Sequence, residues 1–80
     1  MKWFSVTMKI TEHGQHRERW SMEVGNSEKE VREAYIDALR KAGWLTNDLT
    51  KFELNVKLNK KKTKYFDDND LWEGYKKKWL

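Results

Sequence analysis

The chain contains no cysteine, and this absence removes two ways of stabilising a small fold. Neither a disulfide nor a zinc site with thiolate ligands can form, so the core must be held together by packing alone. Long apolar runs are absent as well. No segment approaches the roughly 18 residues of a membrane span, and polar residues interrupt the start of the chain too early for a signal peptide. We therefore expect a cytoplasmic protein.

Motifs that carry catalytic chemistry are also missing. The four glycines form no phosphate-cradling loop, and no nucleophile elbow or paired-histidine motif occurs. His13 and His16 have no third metal ligand nearby, so they are typical of exposed turn residues. The run Asp67-Asp68-Asn69-Asp70 starts like a calcium loop, but Leu71 and Trp72 follow where an oxygen ligand and a glycine are needed. We expect helix capping there, and no enzyme activity, cofactor or metal.

What the chain does contain is charge and aromatic rings. Its 80 residues include 17 Lys or Arg and 13 Asp or Glu, a net charge of +4, and 14% are aromatic, with five tryptophans. A chain of this length supports one small core, so residues 1–80 are expected to form a single domain. Each buried ring removes about 150 to 250 Å² from water, so the aromatic residues should supply much of the packing.

Three segments alternate between apolar and polar residues, as half-buried strands do. They are residues 3–11, 17–24 and 51–59, with apolar positions at Phe4, Val6, Met8 and Ile10, at Trp20, Met22 and Val24, and at Phe52, Leu54, Val56 and Leu58. If all of these side chains share one face, Met8 pairs either with Trp20 across a three-residue loop or with Met22 across a five-residue loop. The sequence leaves both registers open.

A helix is predicted between the second and third strands. Ser27 and Glu30 fit a capping box, and Gly43 ends the helix, with Trp44 placed to contact Leu39 in a Schellman cap. Between them, the apolar residues follow one helical stripe made of Val31, Ala34, Tyr35, Ala38, Leu39 and Ala42.

The last 21 residues are predicted as a turn, a short strand and a helix. Lys60-Lys61-Lys62 has the composition of a charged turn, and Lys64-Tyr65-Phe66 is long enough for a short fourth strand. A helix then opens at Asp67, with the apolar side chains of Leu71, Trp72, Tyr75 and Trp79 on one side.

These elements predict an α+β fold with the chain order ββαβ(β)α. A right-handed crossover places the third strand beside the first, which gives an antiparallel sheet of three or four strands in the order 2-1-3, with the possible fourth strand outside. Two helices are expected on one face, over the apolar side chains. The other face of the sheet is expected to be open to water.

The predicted open face is basic. It has five basic and two acidic side chains, a net charge of +3, and a lysine-rich loop lies at its edge. We therefore expect a non-enzymatic module that binds nucleic acid or another polyanion. The residues expected to contact phosphates are Lys9, Arg17, Arg19, Lys57, Lys60, Lys61, Lys62 and Lys64, and Trp3 and Tyr65 are expected to stack on unpaired bases.

Other interpretations of the same residues stay open. Lysines also protect sheet edges from aggregation and solvate turns. A competing hypothesis is a protein-interaction module that inhibits or adapts a larger enzyme, itself able to handle nucleic acid, because the chain combines surplus aromatic residues with no catalytic motif. An enzyme acting through His13 or His16 is a third hypothesis, which requires a perturbed histidine titration.

Overall fold

The computed structural model describes residues 1–12, 14–43 and 51–79. In chain order, the elements are β1 Lys2–Glu12, β2 Gln15–Gly25, α1 Glu28–Lys41, β3 Lys51–Leu58, α2 Lys60–Asp68 and α3 Trp72–Trp79. The three strands form one antiparallel sheet in the order β2-β1-β3, which confirms the predicted α+β class and strand order. None of the helices in this part of the chain is long and apolar enough to cross a membrane.

The main core lies between α1 and one side of the sheet. β1 is the central strand, and its side chains at Val6 and Met8 are 1% and 0% exposed. Met8 is opposite Leu54 on β3, and Val6 is opposite Val56, so these residues share a side. The buried cluster consists of Phe4, Val6, Met8, Ile10, Val31, Leu39, Leu54 and Val56.

Local signals set the ends of α1 as predicted. The Ser27 hydroxyl accepts a hydrogen bond from the Glu30 N–H at 3.1 Å, and the Glu30 carboxylate accepts from the Asn26 N–H at 3.0 Å. This capping box therefore reaches one residue further back than the usual reciprocal bond to the cap residue. At the other end, Gly43 has φ +80° and donates to the Arg40 carbonyl. The predicted contact of Trp44 lies outside the described residues.

The pairing of β1 with β2 differs from both predicted registers. Glu12 pairs with Gln15, which leaves a loop of two residues, and Gly14 has the positive φ of +77° that two-residue hairpin loops require. Even-numbered residues of β1 are therefore opposite odd-numbered residues of β2. Because side chains alternate along a strand, this shift turns every β2 side chain to the side opposite the predicted one.

The apolar residues of β2 consequently leave the main core. Trp20, Met22 and Val24 lie on the side of the sheet away from α1, and Trp20 is 74% exposed. Gly25 faces α1 instead, where a side chain would collide with Val31. At the end of β3, Leu58 is 42% exposed and is also outside the core. The sequence therefore predicted four core residues that the structure excludes.

The C-terminal region is helical where a turn and a strand were predicted. Residues 60–68 form α2, so the predicted fourth strand at residues 64–66 is wrong. Asn59 explains the difference, because its side chain accepts from the Lys62 N–H at 3.0 Å and caps the helix. Asp67 and Asp68 end α2 instead of opening α3, which begins at Trp72.

Helices lie on both sides of the sheet. α1 covers the side that carries Phe4 and Val6, whereas α2 and α3 pack together against Trp3 on the other side. The two helices that share a side are thus α2 and α3. They cover only the end of the sheet near Trp3; on the remainder of that side Trp20 is 74% exposed, whereas Thr7, Met22 and Val24 are half-buried.

Candidate nucleic-acid interface

The register separates the basic residues that were predicted to share a face. Arg17 and Arg19 are opposite core residues of β1, so they lie on the side of the sheet that α1 covers. Lys9 and Lys57 lie on the other side. The predicted single basic face is therefore wrong, and the physical reason is the two-residue hairpin loop, which reverses the orientation of every β2 side chain.

The side of the sheet away from α1 is also less basic than predicted. Lys9 is directly opposite Glu18 on β2 and Glu53 on β3. With Lys51 and Lys57, the strands carry three lysines against two glutamates on this side, a net charge of +1 with histidine neutral. A carboxylate on each side of Lys9 offsets its charge. This surface is a weaker attractor of phosphate than the sequence indicated.

Trp3 is enclosed by aromatic rings and offers no free face to a base. It is 9% exposed. Its ring centroid lies 5.2 Å from that of Phe66, 6.2 Å from that of Trp72 and 5.6 Å from that of Tyr75. Edge-to-face and stacked ring pairs at these distances stabilise packing. The structure therefore gives no support to the stacking of Trp3 on an unpaired base, and that role stays a prediction.

The start of α2 is fixed to the start of β1 by hydrogen bonds. The Asn59 N–H donates to the Trp3 carbonyl at 2.8 Å, and the Trp3 N–H donates to the Thr63 hydroxyl at 2.9 Å. The Asn59 side chain also donates to the Ser5 hydroxyl at 3.4 Å. These bonds satisfy backbone groups at the start of β1 and hold the first turn of α2 in a defined orientation.

One face of α2 points to solvent and carries three lysines and a tyrosine. Lys60 and Lys64 are four residues apart, as are Lys61 and Tyr65, so the four side chains lie on one side of the helix. All four are exposed, and Tyr65 is 60% exposed. We call Lys60, Lys61, Lys64 and Tyr65 the α2 lysine face. The structure thus brings together three of the predicted phosphate contacts and one predicted stacking residue.

The charges of α2 oppose its helix dipole. Its first turn has no acidic residue and contains Lys60–Lys62, while Asp67 and Asp68 lie at its last turn. α3 has the favourable arrangement, with Glu73 in its first turn and Lys76–Lys78 in its last. A cation near a helix N-terminus is unfavourable, because the dipole is positive there. At the start of α2 the dipole and the lysines therefore add to one another and attract anions.

Two other predicted lysines lie beside this face. Lys62 is partly buried, and its Nζ atom lies 3.9 Å from the centroid of the Trp3 ring. This is cation–π geometry, so Lys62 contributes to packing as well as to the local charge. Lys57 lies on the same side of the sheet, three residues before α2 begins.

The described residues offer no metal centre. No group of three or more His, Cys, Asp or Glu side chains is placed to hold an ion in residues 1–12, 14–43 and 51–79. His16 is exposed, and its Nδ1 atom lies 2.9 Å from the Thr11 hydroxyl. His13 lies outside the described residues.

A groove follows β2 on the side of α1. Its volume is about 590 Å³. Arg32 draws α1 towards β3, since its guanidinium donates to the Leu54 carbonyl at 2.9 Å, and the groove lies on the opposite flank of the helix. The helix lines it with the small side chains of Ala34, Ala38 and Ala42, and β2 lines it with Arg19, Ser21 and Glu23. The predicted helical stripe is thus buried at Val31 and Leu39 but exposed along its alanines.

Sequence reasoning missed the helical character of residues 60–66. The signal that indicates it is Asn59, because asparagine is a preferred cap residue and Thr63 and Phe66 then fall on the side of the helix that packs. The exposure of Trp20 had no comparable signal, since an apolar residue in an alternating strand is normally buried.

In comparisons with known proteins, no family model, no curated protein and no solved structure matches this chain.

Proposed function

We propose that this chain is a non-enzymatic module that binds nucleic acid through the α2 lysine face. The observation that carries the proposal is the set of lysines in the first turn of α2, placed against the helix dipole. This arrangement lowers the stability of the helix and yields no ion pair within it. A bound phosphate would reverse the sign of the effect, because an anion at a helix N-terminus is favourable.

The geometry favours single-stranded nucleic acid. Lys60, Lys61 and Lys64 contact successive phosphates, and the exposed ring of Tyr65 stacks on an unpaired base. Lysines act as point charges without a fixed bidentate geometry, so binding depends strongly on salt and little on sequence. Lys57 and Lys62 add charge beside this face.

The remaining predicted contacts are excluded from the proposed site. Arg17 and Arg19 lie on the other side of the sheet, Lys9 lies between two carboxylates, and Trp3 is buried. The proposal thus moves the site from the sheet to the helix. The cytoplasmic location predicted from the sequence stays a prediction.

The experiment is a fluorescence-anisotropy titration of a single-stranded oligonucleotide over a salt series. The triple variant Lys60→Gln, Lys61→Gln, Lys64→Gln should weaken binding by about 10- to 100-fold at roughly 50 mM salt. It should also reduce the slope of log K against log salt by about 2, because three phosphate contacts are lost. Tyr65→Leu should weaken the single-strand complex and leave binding to a duplex nearly unchanged.

A matched control removes the same charge elsewhere. Lys29, Arg40 and Lys41 are exposed on α1, on the other side of the sheet, and glutamine substitutions there remove three charges as well. If this control variant weakens binding as much as the α2 variant, the interaction reports net charge alone and the proposed site is wrong. Wild-type protein that shows no binding at about 50 mM salt would reject nucleic-acid binding altogether.

A protein-interaction module is the second candidate, and the groove beside β2 is the observation that favours it. Its small side chains and the neighbouring exposed Trp20 are features of contact surfaces. Ala38→Arg should fill the groove and abolish such a contact while leaving oligonucleotide binding unchanged. The triple α2 variant should have the opposite pair of effects.

A further inference from the structure

Among the described residues, the outer edge of β2 is an unpaired strand edge. β2 pairs with β1 on one side, and no other strand of the described residues pairs with its second side. All 11 of its residues follow a one-to-one register without a bulge, and the chain has no proline. Bulges and prolines are common devices that prevent an edge from pairing with another chain. β2 uses neither device, but it carries the charges of Arg17, Glu18, Arg19 and Glu23, which a partner strand must match.

The even-numbered residues of β2 present their backbone groups at this edge. The Asn59 N–H donates to the Trp3 carbonyl, so odd-numbered residues of β1 direct their backbone groups towards the β3 side. Even-numbered residues of β1 therefore bond to β2, where their partners have odd numbers. The same alternation holds on β3, where the even-numbered Leu54 directs its carbonyl away from β1 and accepts a hydrogen bond from Arg32. The outward N–H and C=O groups of β2 belong to Glu18, Trp20, Met22 and Val24.

The side chains around Ser21 are complementary to themselves under twofold symmetry. When two copies of β2 pair in antiparallel orientation with Ser21 on the axis, Trp20 of each copy is opposite Met22 of the other. On the other side of the sheet, Arg19 of each copy is opposite Glu23 of the other. Each pair occurs twice, one apolar and one of opposite charge, and both kinds stabilise paired strands. This register also joins even-numbered residues to even-numbered residues, as the outward backbone groups require.

The approach to this edge is open along the described part of α1. The alanines of α1 that line the groove beside β2 are too short to reach over the edge, and the larger lining residues Val31, Leu39 and Tyr35 are in the core or pack against it. On the opposite side of the sheet, Trp20 is 74% exposed, and contact with Met22 of a second copy would remove apolar surface of both residues from water.

We infer that two copies of this chain associate through β2, with Ser21 on the twofold axis, to form one continuous six-stranded antiparallel sheet. The contact uses the same edge of both copies, so association closes at two. One pair of strands buries less surface than a typical stable interface. The dimer should therefore form in a concentration-dependent manner.

A single cysteine tests the position of the axis. Ser21 directs its backbone groups towards β1, so the two copies of Ser21 form a non-hydrogen-bonded pair, whose Cα atoms lie about 4.5 Å apart. This distance is within the range of a disulfide. Because the chain has no other cysteine, Ser21→Cys should become a disulfide-linked dimer on mild oxidation. Glu23→Cys is the matched control. In this register residue 23 is opposite residue 19 of the other copy, four positions from the second cysteine, so this variant should not form the disulfide.

A charge exchange tests the same contact without a covalent link. We would measure the mass of the full 9.8 kDa chain by sedimentation over a dilution series from about 1 mM to about 10 μM, with circular dichroism to confirm folding. Arg19→Glu and Glu23→Arg each place two like-charged pairs across the axis and should raise the dissociation constant by about tenfold or more. The double variant restores opposite charges and should recover dimerisation.

Each result of these experiments either supports or overturns the dimer. A wild-type chain that is monomeric over the whole series overturns the inference, and so does a dimer that Arg19→Glu leaves unchanged. If a charge variant fails to fold, Trp20→Lys takes its place, because this side chain is 74% exposed and the substitution adds a lysine to the edge. Loss of the dimer in Trp20→Lys supports the inference, and its persistence overturns it.

Discussion

The two sides of the sheet are covered in different ways. On the α1 side, aliphatic side chains exclude water almost completely, and Met8 is 0% exposed. On the other side, α2 and α3 pack around the single ring of Trp3, and their own rings at Phe66, Trp72 and Tyr75 stay partly exposed. The first side is a continuous core, whereas the second depends on one residue of β1. We therefore expect α2 and α3 to unfold more easily than the sheet and α1.

The largest effect should follow from removing the ring on which the second side depends. Trp3→Ala should lower the free energy of unfolding of the α2 and α3 region by about 3 to 5 kcal/mol, since it deletes a large buried aromatic side chain. Hydrogen exchange should show loss of protection in α2 and α3 and little change in the sheet. Trp20→Ala, compared at a concentration at which the chain is monomeric, is the matched control and should change stability by less than about 0.5 kcal/mol. Equal loss of protection in every element would contradict the division into two regions.

A deletion on the α1 side should act on the whole molecule. Met8→Ala should lower the free energy of unfolding by about 2 to 5 kcal/mol, because it leaves a cavity at the centre of the core. Urea unfolding followed by near-ultraviolet and far-ultraviolet circular dichroism measures it. Protection from hydrogen exchange should fall in β1, β3 and α1 together. If only α2 and α3 lost protection, the assignment of the main core to the α1 side would be wrong.

The cap of α2 should have an intermediate effect. Asn59→Ala removes the side chain that accepts the Lys62 N–H, and it should lower stability by about 1 kcal/mol, confined to α2. Nuclear magnetic resonance chemical shifts of residues 60–68 report the loss of helix. Asn55→Ala, at an exposed position of β3, is the control and should leave these shifts unchanged. A helix of undiminished population in Asn59→Ala would show that the tertiary contacts alone hold α2.

The smallest effect should be a change in stability whose sign differs between α2 and α3. Lys60→Gln with Lys61→Gln should raise stability by about 0.3 to 1 kcal/mol per charge at low salt, because it removes cations from the positive end of the α2 dipole. Lys76→Gln with Lys77→Gln should lower stability by a similar amount, since those lysines lie at the negative end of α3. Thermal unfolding at low and high salt measures both. The α2 variant should gain stability while it loses affinity for nucleic acid. A loss of both stability and affinity would contradict the claim that the lysines of the first turn destabilise α2.

The outline of the fold could be predicted from local patterns. Alternation in β1 and β3 placed Met8 and Leu54 on the core side, and the Ser27 capping box set the start of α1. Part of the candidate site was predicted as well, since Lys60, Lys61, Lys64 and Tyr65 share an exposed surface. The same reasoning failed for Arg17 and Arg19, because it assumed that the apolar residues of β2 must face the main core.

The residues of this chain specify which segments become strands and where α1 begins, because alternation and capping depend on neighbours within a few positions. The pairing register of β1 and β2 depends on the length of their loop, and a change of one residue reverses the side on which each β2 side chain lies. Only the assembled hairpin, with Gly14 in its loop, turns Trp20 outward. Trp3 likewise belongs to a strand by its pattern, but it is buried because Phe66, Trp72 and Tyr75, more than 60 positions away, fold over it. Such contacts join distant parts of the chain, and no local pattern encodes them.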